Sequence, residues 1–195
     1  VTKQNLADGK ARAVVCNSGI ANTCNADGVE KARGMCEITA KALGIAPTDV
    51  IVASTGVIGQ PLDLSPVEQG MPQLIGELSK AGSDHAAQAI MTTDTRKKEF
   101  ALTFMLGGKG CTIGAISKGS GMIHPNMATM LCFITTDVAI STPMLQKALS
   151  AAVADSFNML SIDGDTSTND MACILASGKA ENREIVSENE DFALF

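Results

Sequence analysis

Thr129 stands where a polar, glycine-containing run meets a β-rich run, in the stretch "KGSGMIHPNMATMLCFITTD" of residues 118–137. If that loop is strained, the threonine hydroxyl could attack the carbonyl of Ala128. The resulting ester would hydrolyse and leave Thr129 as a new N-terminus, which carries its own base because an α-amino group has a pKa of about 8. A threonine that simply begins a strand is the commoner situation, and the residues alone favour that alternative.

A second polar segment, "ASTGVIG", ends an apolar run with Thr55 and Gly56. Backbone N–H groups and a hydroxyl at the end of a buried strand can point at a ligand, and fixed donors of this kind stabilise a developing oxyanion. A turn that only ends the strand explains the same residues. From this segment alone, the turn is the favoured alternative.

Three other patterns fail on their spacing. The run "GGKGCT" does not meet the phosphate-loop spacing, and Gly108, Gly110 and Gly114 miss the dinucleotide-binding spacing by one residue. The acidic run "SIDGDTSTND" lacks the glutamate that completes a calcium loop. We therefore expect no metal site, and we expect residues 163–170 to form a polar loop whose side chains hold its own turns.

The six cysteines form no Cys-x-x-Cys pair, and neither His85 nor His124 extends a cysteine spacing into a zinc pattern. Several cysteines lie in apolar runs, so we expect buried, reduced thiols, which fit a cytoplasmic location. A catalytic cysteine is left open, because no neighbouring residue singles one out. The cysteines are Cys16, Cys24, Cys36, Cys111, Cys132 and Cys173.

The composition is that of an ordinary globular protein. The 195 residues, 45% of them hydrophobic, allow one sizeable domain or two small ones that share a core. The net charge of −6 argues against general nucleic-acid binding, because phosphate contacts need a basic surface. No apolar run approaches the length of a membrane span. The chain begins without methionine, and we expect it to be a fragment or a processed piece.

Strand and helix signals mix along the whole chain, which favours an α/β or α+β layered domain. The best-defined helix signal lies at 26–44, where Asp27 is the expected N-cap and Gly44 the C-terminal stop. Further helices are predicted at 65–80, interrupted by Pro72, at 84–94, at 141–160 and near 188–195. Strands are predicted at 11–19, 48–59, 98–106, 111–119, 129–141 and 171–179, the third and fourth as a hairpin.

The 118–137 stretch resembles the autoproteolysis signature of the ornithine acetyltransferase family, the bifunctional glutamate N-acetyltransferases of arginine biosynthesis. The segments "NSGIAN", "ASTGVIGQPL", "MTTDT" and "SIDGDTSTND" also resemble that family, and they occur in the family's order. Together they cover nearly the whole chain. The resemblance implies an α/β layered sandwich of the ornithine acetyltransferase type, self-processed into two subunits that stay associated.

The resemblance also implies where the chain is cut and how it works. Cleavage between Ala128 and Thr129 would divide it into an α-chain part, 1–128, and the start of a β chain, 129–195. Thr129 would then take an acetyl group from N2-acetylornithine and pass it to L-glutamate. Splitting one amide-to-amide transfer into two acyl transfers is what covalent catalysis offers.

Four further residues match family positions. Thr55 and Gly56 match the oxyanion-hole pair, and Lys118 matches a substrate-binding lysine whose cation suits a carboxylate. A substrate-binding threonine corresponds to Thr92, with Thr93 as the alternative. The family implies no cofactor, leaves acetyl-CoA open as a co-substrate, and implies a heterotetramer of two α and two β chains in the cytoplasm.

One departure and two rival hypotheses accompany this interpretation. The family's substrate-binding glutamate, and an asparagine and a threonine near its C-terminus, lie beyond Phe195. We therefore expect this stretch of chain to lack part of the substrate site. An N-terminal-nucleophile amidohydrolase or aminopeptidase would share the self-cleavage but transfer the acyl group to water. An inactive fragment would use Thr129 only as a structural residue.

Overall fold

A computed structural model describes residues 1–124 and 130–195 of the chain. Ala128 and Thr129, the two residues of the expected cleavage site, lie outside the described residues. The chain divides into two compact units, Val1–Thr93 and Asp94–Phe195. This division is one of packing, and the expected cleavage at Ala128–Thr129 stays a prediction.

The first unit is built on a parallel pair of strands, β1 (Ala13–Asn17) and β2 (Val50–Ser54), joined by helix α2 (Gly28–Leu43). All five residues of β2 are buried, as the continuous apolar run predicts. The remaining helices are α1 (Thr2–Asn5), α3 (Ser65–Gly76) and α4 (Ser83–Ala89), with short 3-10 helices at Leu6–Asp8 and Pro47–Asp49.

Helix α2 covers one face of this strand pair. Met35 and Cys36 of α2 pack with Val50 and Val52 of β2 in one buried cluster. The helix follows Asp27 at the predicted N-cap position, but the Asp27 side chain makes no capping hydrogen bond. It ends at Gly44, whose φ of 66° is the left-handed conformation that favours glycine at a helix C-terminus. The 3.6-residue period of the apolar side chains therefore explains which face of α2 is buried.

The start of α2 touches the loop that precedes it. A Cβ on Gly28 would lie 1.9 Å from the carbonyl oxygen of Asn22, and the Asn22 side-chain amide donates to the Gly28 carbonyl at 3.0 Å. Only a residue without a Cβ allows this approach. The contact fixes the return of the 17–28 loop onto the helix.

We expect Gly28→Ala to lower the free energy of unfolding by about 1–3 kcal/mol, because a backbone atom must move to admit the methyl group. Gly70→Ala is the matched control: Gly70 lies inside α3 with no atom within 4 Å of an added Cβ. That substitution should stabilise the protein by roughly 0.5–1 kcal/mol, since alanine is the better helix former. Urea denaturation of both variants checks this, and equal midpoints would contradict it.

The second unit is built on a four-stranded sheet in the order β3 (Lys98–Leu106), β4 (Lys109–Lys118), β5 (Leu131–Thr136), β6 (Met171–Ala176). Strand β4 is antiparallel to both of its neighbours, β3 and β5, whereas β6 runs parallel to β5. Gly107 and Gly108 join β3 to β4 with φ angles of 54° and 80°, which a two-residue hairpin turn of type I′ requires. The predicted hairpin is confirmed.

Helix α5 (Thr142–Ala154) follows β5 and leads, through a 3-10 helix at Phe157–Met159 and a long loop, to β6. The chain ends in α6 (Glu190–Leu194), which the Asn189 side chain caps by accepting from the Phe192 N–H. A fully buried cluster lies under this sheet, made of Leu106, Cys111, Val138 and Ile185.

Several expectations from the sequence need correction. Helices α4 and α5 end at Ala89 and Ala154, before the predicted ends at residues 94 and 160. Helix α3 continues through Pro72, where an interruption was predicted; Pro72 and Glu68, the residue whose carbonyl loses a partner, are both exposed, so water can bind that carbonyl. Strand β5 ends at Thr136, well before residue 141. Cys24 is exposed, whereas a buried thiol was expected. Its backbone has a φ of 58°, which is unusual for a residue with a side chain.

The other thiols fit the expectation better. All six cysteines are free, and four of them are buried. Burial raises the pKa of the Cys173 thiol to about 12 and raises the pKa of the Cys132 thiol as well. Such thiols are protonated and unreactive at neutral pH.

No helix in the described parts of the chain is long and apolar enough to cross a bilayer.

Candidate active site

One edge of the four-stranded sheet gathers the polar residues of the second unit. Because β4 is antiparallel to β5 and β6 is parallel to β5, the end of β4 and the starts of β5 and β6 share this edge. Lys118 lies opposite Leu131, and Leu131 lies opposite Met171. Lys118 is thereby placed across from the residue that comes two positions after Thr129 in the chain.

Lys118 is buried, with 2% of its surface exposed. A buried ammonium group is costly unless charges or hydrogen bonds compensate it. The half-buried carboxyl of Asp170, next to β6, is close enough to compensate the Lys118 charge, since that charge lowers the pKa of Asp170. Burial acts in the opposite direction and has the largest effect, so the pKa of Asp170 is raised overall.

A cavity of about 90 Å³ opens beside Lys118. Its accessible lining is almost entirely apolar; the lining residues are Lys98, Ser117, Lys118, Gly119, Ile123, Met130, Phe157 and Leu160. An apolar lining of this kind suits the aliphatic part of a small molecule. The sequence resemblance assigned a substrate carboxylate to Lys118, and that role stays a prediction.

Three aspartates hold backbone N–H groups near this edge. Asp94 accepts from the Gly119 N–H at 2.8 Å and pairs with Lys98. Asp163 accepts from the N–H groups of Met122 at 2.6 Å and Ile123 at 2.9 Å, and these hydrogen bonds lower the pKa of Asp163. Asp170 accepts from the Met130 N–H at 2.9 Å. The chain on each side of the expected cleavage site is therefore held by carboxylates.

The candidate oxyanion segment lies in the first unit, directly after β2. Thr55 is fully buried, and its hydroxyl has no hydrogen-bond partner among the residues the structure describes. Its own N–H is used, since it donates to the Asn17 carbonyl at 2.8 Å. Within residues 1–124 and 130–195, the Gly56 N–H donates to no acceptor. The hydroxyl of Thr55 and the N–H of Gly56 are thus two adjacent donors without a partner among the described residues.

Gly56 is the residue type that this position requires. Its φ is 121°, and an added Cβ would lie 2.2 Å from the Gly19 carbonyl oxygen. That carbonyl accepts from the Val57 N–H at 3.2 Å, so the 17–20 turn and the 55–57 segment run side by side. This close approach fixes the direction of the Gly56 peptide.

Asn17 organises the facing turn, and sequence reasoning did not single it out. Its side-chain oxygen accepts from the Gly19 N–H at 2.9 Å, and its amide donates to the Ile20 carbonyl at 2.6 Å. Asn-Ser-Gly after a strand is a turn signal that could have identified it. Ser18 also donates to the Ala89 carbonyl, which joins this turn to the end of α4.

Thr92 and Thr93 follow α4 in a bend, and both are exposed. The structure does not show which of the two binds substrate. Thr92 therefore stays the predicted substrate-binding threonine, with Thr93 as the alternative. Thr55, Gly56 and Thr92 belong to the first unit and Lys118 to the second. Asp94 was not singled out from the sequence either, because its partners lie on other segments.

The fold and these residues define an α/β protein with a buried lysine at a sheet edge and two unpaired donors after a buried strand. The chain belongs to the ArgJ family, whose model matches residues 1–195. The family resemblance and the α/β class expected from the sequence are both confirmed.

Relatives with curated names lead to the same family. The arginine biosynthesis bifunctional protein ArgJ 1 of Clostridium acetobutylicum is 55% identical over 184 residues, covering 94% of this chain and 45% of the relative. The Bacillus subtilis protein named arginine biosynthesis bifunctional protein ArgJ is 47% identical over 197 residues, covering 100% and 48%. The chain thus spans about half the length of the curated relatives it matches.

A solved structure is also similar. The crystal structure of the arginine biosynthesis bifunctional protein ArgJ from Bacillus halodurans matches with a TM-score of 0.59 and 37% sequence identity. The match covers 65% of this chain and 68% of that chain.

Proposed function

We propose that the protein containing this chain is a self-cleaving acetyltransferase of arginine biosynthesis, which moves an acetyl group from N2-acetylornithine to L-glutamate through an acetyl-threonine at Thr129. Membership of the ArgJ family and the names of the relatives support the pathway. The observation that carries the chemistry is the fully buried Thr55 hydroxyl beside the N–H of Gly56, two donors that have no acceptor in the part of the chain the structure describes.

Self-cleavage comes first in this proposal. The Thr129 hydroxyl oxygen bonds to the Ala128 carbonyl carbon, the Ala128–Thr129 amide bond breaks, and the amide nitrogen takes up the hydroxyl proton to become the free α-amino group. Water then hydrolyses the ester, releasing the Ala128 carboxylate and restoring the Thr129 hydroxyl. The new amine is a base with a pKa of about 8, close to working pH.

Acetyl transfer uses the same hydroxyl twice. The Thr129 oxygen bonds to the acetyl carbon of N2-acetylornithine, its proton passes through the α-amino group to the leaving nitrogen, and ornithine departs. The amine of glutamate then attacks the acetyl ester, giving N-acetylglutamate and the free threonine. Each addition places negative charge on the acetyl oxygen, and the roles of Thr55 and Gly56 are to donate hydrogen bonds to it.

The remaining assignments follow the residues present. Lys118 binds a substrate carboxylate, Thr92 contacts substrate, and no cofactor takes part, while acetyl-CoA is left open as a second acetyl donor. The partners are the small-molecule substrates and the complementary cleavage product, in a heterotetramer of two α and two β chains in the cytoplasm.

The proposal is tested with the full-length protein and N2-acetylornithine. We expect N-terminal sequencing to find a fragment that begins Thr-Met-Leu-Cys, and we expect ornithine release to rise in proportion to added glutamate. If ornithine and acetate were released as fast without glutamate as with it, the protein would be an amidohydrolase and not a transferase. An uncut protein that releases no ornithine would overturn both.

A further inference from the structure

We propose that Asp163 and Asp170 are positioning residues for self-cleavage: one loop holds the backbone on both sides of the Ala128–Thr129 bond. This inference rests on the proposed function, because it concerns the cleavage step. It adds to the sequence-based expectation that the side chains of residues 163–170 hold their own turns, which the hydrogen bond from the Asp165 N–H to Asp163 at 3.4 Å fits. The two carboxylates accept hydrogen bonds from segments about forty positions earlier, with sequence separations of 41, 40 and 40.

Asp163 fixes the chain before the cleavage site. Its two carboxylate oxygens accept separately, one from the Met122 N–H and the other from the Ile123 N–H. Met122 has a φ of 57°, a left-handed conformation that is strained for a residue with a side chain. The Ile123 carbonyl also accepts from the Ile162 N–H at 2.8 Å. The strained turn is therefore held by three hydrogen bonds from residues 162 and 163.

Asp170 fixes the chain after the cleavage site. Its carboxylate accepts from the Met130 N–H, which belongs to the peptide bond that follows Thr129. The Met130 carbonyl accepts in turn from the Met171 N–H at 3.0 Å, so both polar backbone groups of Met130 are bound. Met171 is the first residue of β6, which pairs with β5 over six residues, and this anchor is part of the sheet.

Anchors on both sides matter for an intramolecular attack. The threonine oxygen must approach the preceding carbonyl in a narrow range of distance and angle, and a free segment reaches that geometry rarely. Fixing both ends of a short segment removes most of the alternative conformations before the reaction begins. Neither aspartate needs to touch the reacting atoms for this effect.

The number of N–H groups held by each carboxylate gives the proposal a sharp test. In Asp163→Asn, one of the two accepting oxygens becomes an NH₂ group that faces a backbone N–H. In Asp170→Asn, the one oxygen that accepts from a backbone N–H can be kept, and the new NH₂ group can donate to the Ser167 hydroxyl, which hydrogen-bonds to the Asp170 side chain. We therefore expect Asp163→Asn to slow cleavage about 10- to 100-fold, and Asp170→Asn to stay within about threefold of the unsubstituted protein. Asp170→Ala, which keeps no acceptor, should slow cleavage about 10- to 100-fold.

Asp165→Asn is the matched control, because Asp165 lies in the same loop and is exposed. It should cleave at the rate of the unsubstituted protein. The full-length variants are expressed, and the uncut fraction is followed over time by intact mass. Each substitution is also placed in a Thr129→Ala background, where no cut occurs, and its melting temperature is measured. A slow variant with an unchanged melting temperature fits positioning and not loss of fold.

The outcomes separate the two hypotheses. If the unsubstituted protein is never cut at Ala128–Thr129, both the proposed function and this inference are wrong. If that protein is cut and Asp163→Asn cuts at the same rate, only the inference is overturned. Equal slowing by Asp170→Asn and Asp170→Ala would overturn it too, because the charge and not the hydrogen bond would then be needed. Should the alanine variant not fold, the comparison of Asp163→Asn with Asp170→Asn decides alone.

Discussion

Thr129→Ala should leave the full-length protein as a single uncut chain that transfers no acetyl group. Alanine has no hydroxyl to attack the Ala128 carbonyl, and without the cut there is no α-amino group to act as base. Loss of both the nucleophile and its base should lower the rate of acetyl transfer on the order of 10⁴-fold or more. Intact mass and ornithine release measure the two effects on one sample.

Thr129→Ser is the matched control, since serine keeps the hydroxyl and loses only a methyl group. We expect it to be cut and to transfer acetyl groups, at a lower rate because the less restricted side chain spends less time in the attacking rotamer. If Thr129→Ala were still cut between residues 128 and 129, Thr129 would not be the nucleophile. If Thr129→Ala were both cut and fully active in acetyl transfer, the hypothesis of an acetyl-threonine intermediate would be wrong as well.

Gly56→Ala should reduce acetyl transfer on the order of 10²-fold, the effect of misplacing one oxyanion donor. The added Cβ would lie 2.2 Å from the Gly19 oxygen and 2.5 Å from the Gly19 carbonyl carbon, both of which are backbone atoms. A flexible side chain could move aside, but here the two segments must separate. The φ of 121° adds strain for any residue with a Cβ. The N–H of residue 56 would then point elsewhere.

Gly59→Ala separates strain from crowding in the same loop. Gly59 also has a positive φ, 74°, but no atom lies within 4 Å of its added Cβ. It should lose roughly 1–2 kcal/mol of stability and keep most of the transfer activity. The kcat/KM for ornithine formation and the melting temperature distinguish the two variants. Equal loss of activity in both would show that backbone strain alone disables the loop, and full activity of Gly56→Ala would remove Gly56 from the oxyanion assignment.

Local signals in the sequence account for most of the secondary structure. The apolar period of α2, the glycine at its end and the Gly107-Gly108 turn each act over a few residues, so their effects can be predicted without knowing the fold. Pro72 was misjudged because its cost depends on whether water reaches the freed carbonyl, which only the tertiary structure decides. Strand β5 was overestimated because its apolar run continues past the last sheet partner.

The anchors around the cleavage segment could not be predicted in this way. Asp94, Asp163 and Asp170 accept from N–H groups 25 to 41 positions away in the chain. Nothing in the spacing of these acidic residues distinguishes a backbone acceptor from a solvated carboxylate. The sequence predicts Thr55 and Gly56 as donors but not which of their groups can donate. It does not show that the Thr55 N–H already donates to the Asn17 carbonyl.

The pairing of β4 with β5 gives the proposed cut a thermodynamic consequence. Six residue pairs join the two strands, from Ile113 opposite Thr136 to Lys118 opposite Leu131. Once the chain is cut between residues 128 and 129, β4 and β5 belong to different polypeptides. Unfolding then changes molecularity, because each folded protomer yields two chains that must find each other again. Mass action will make the stability of the mature protein fall more steeply on dilution than that of its uncut precursor.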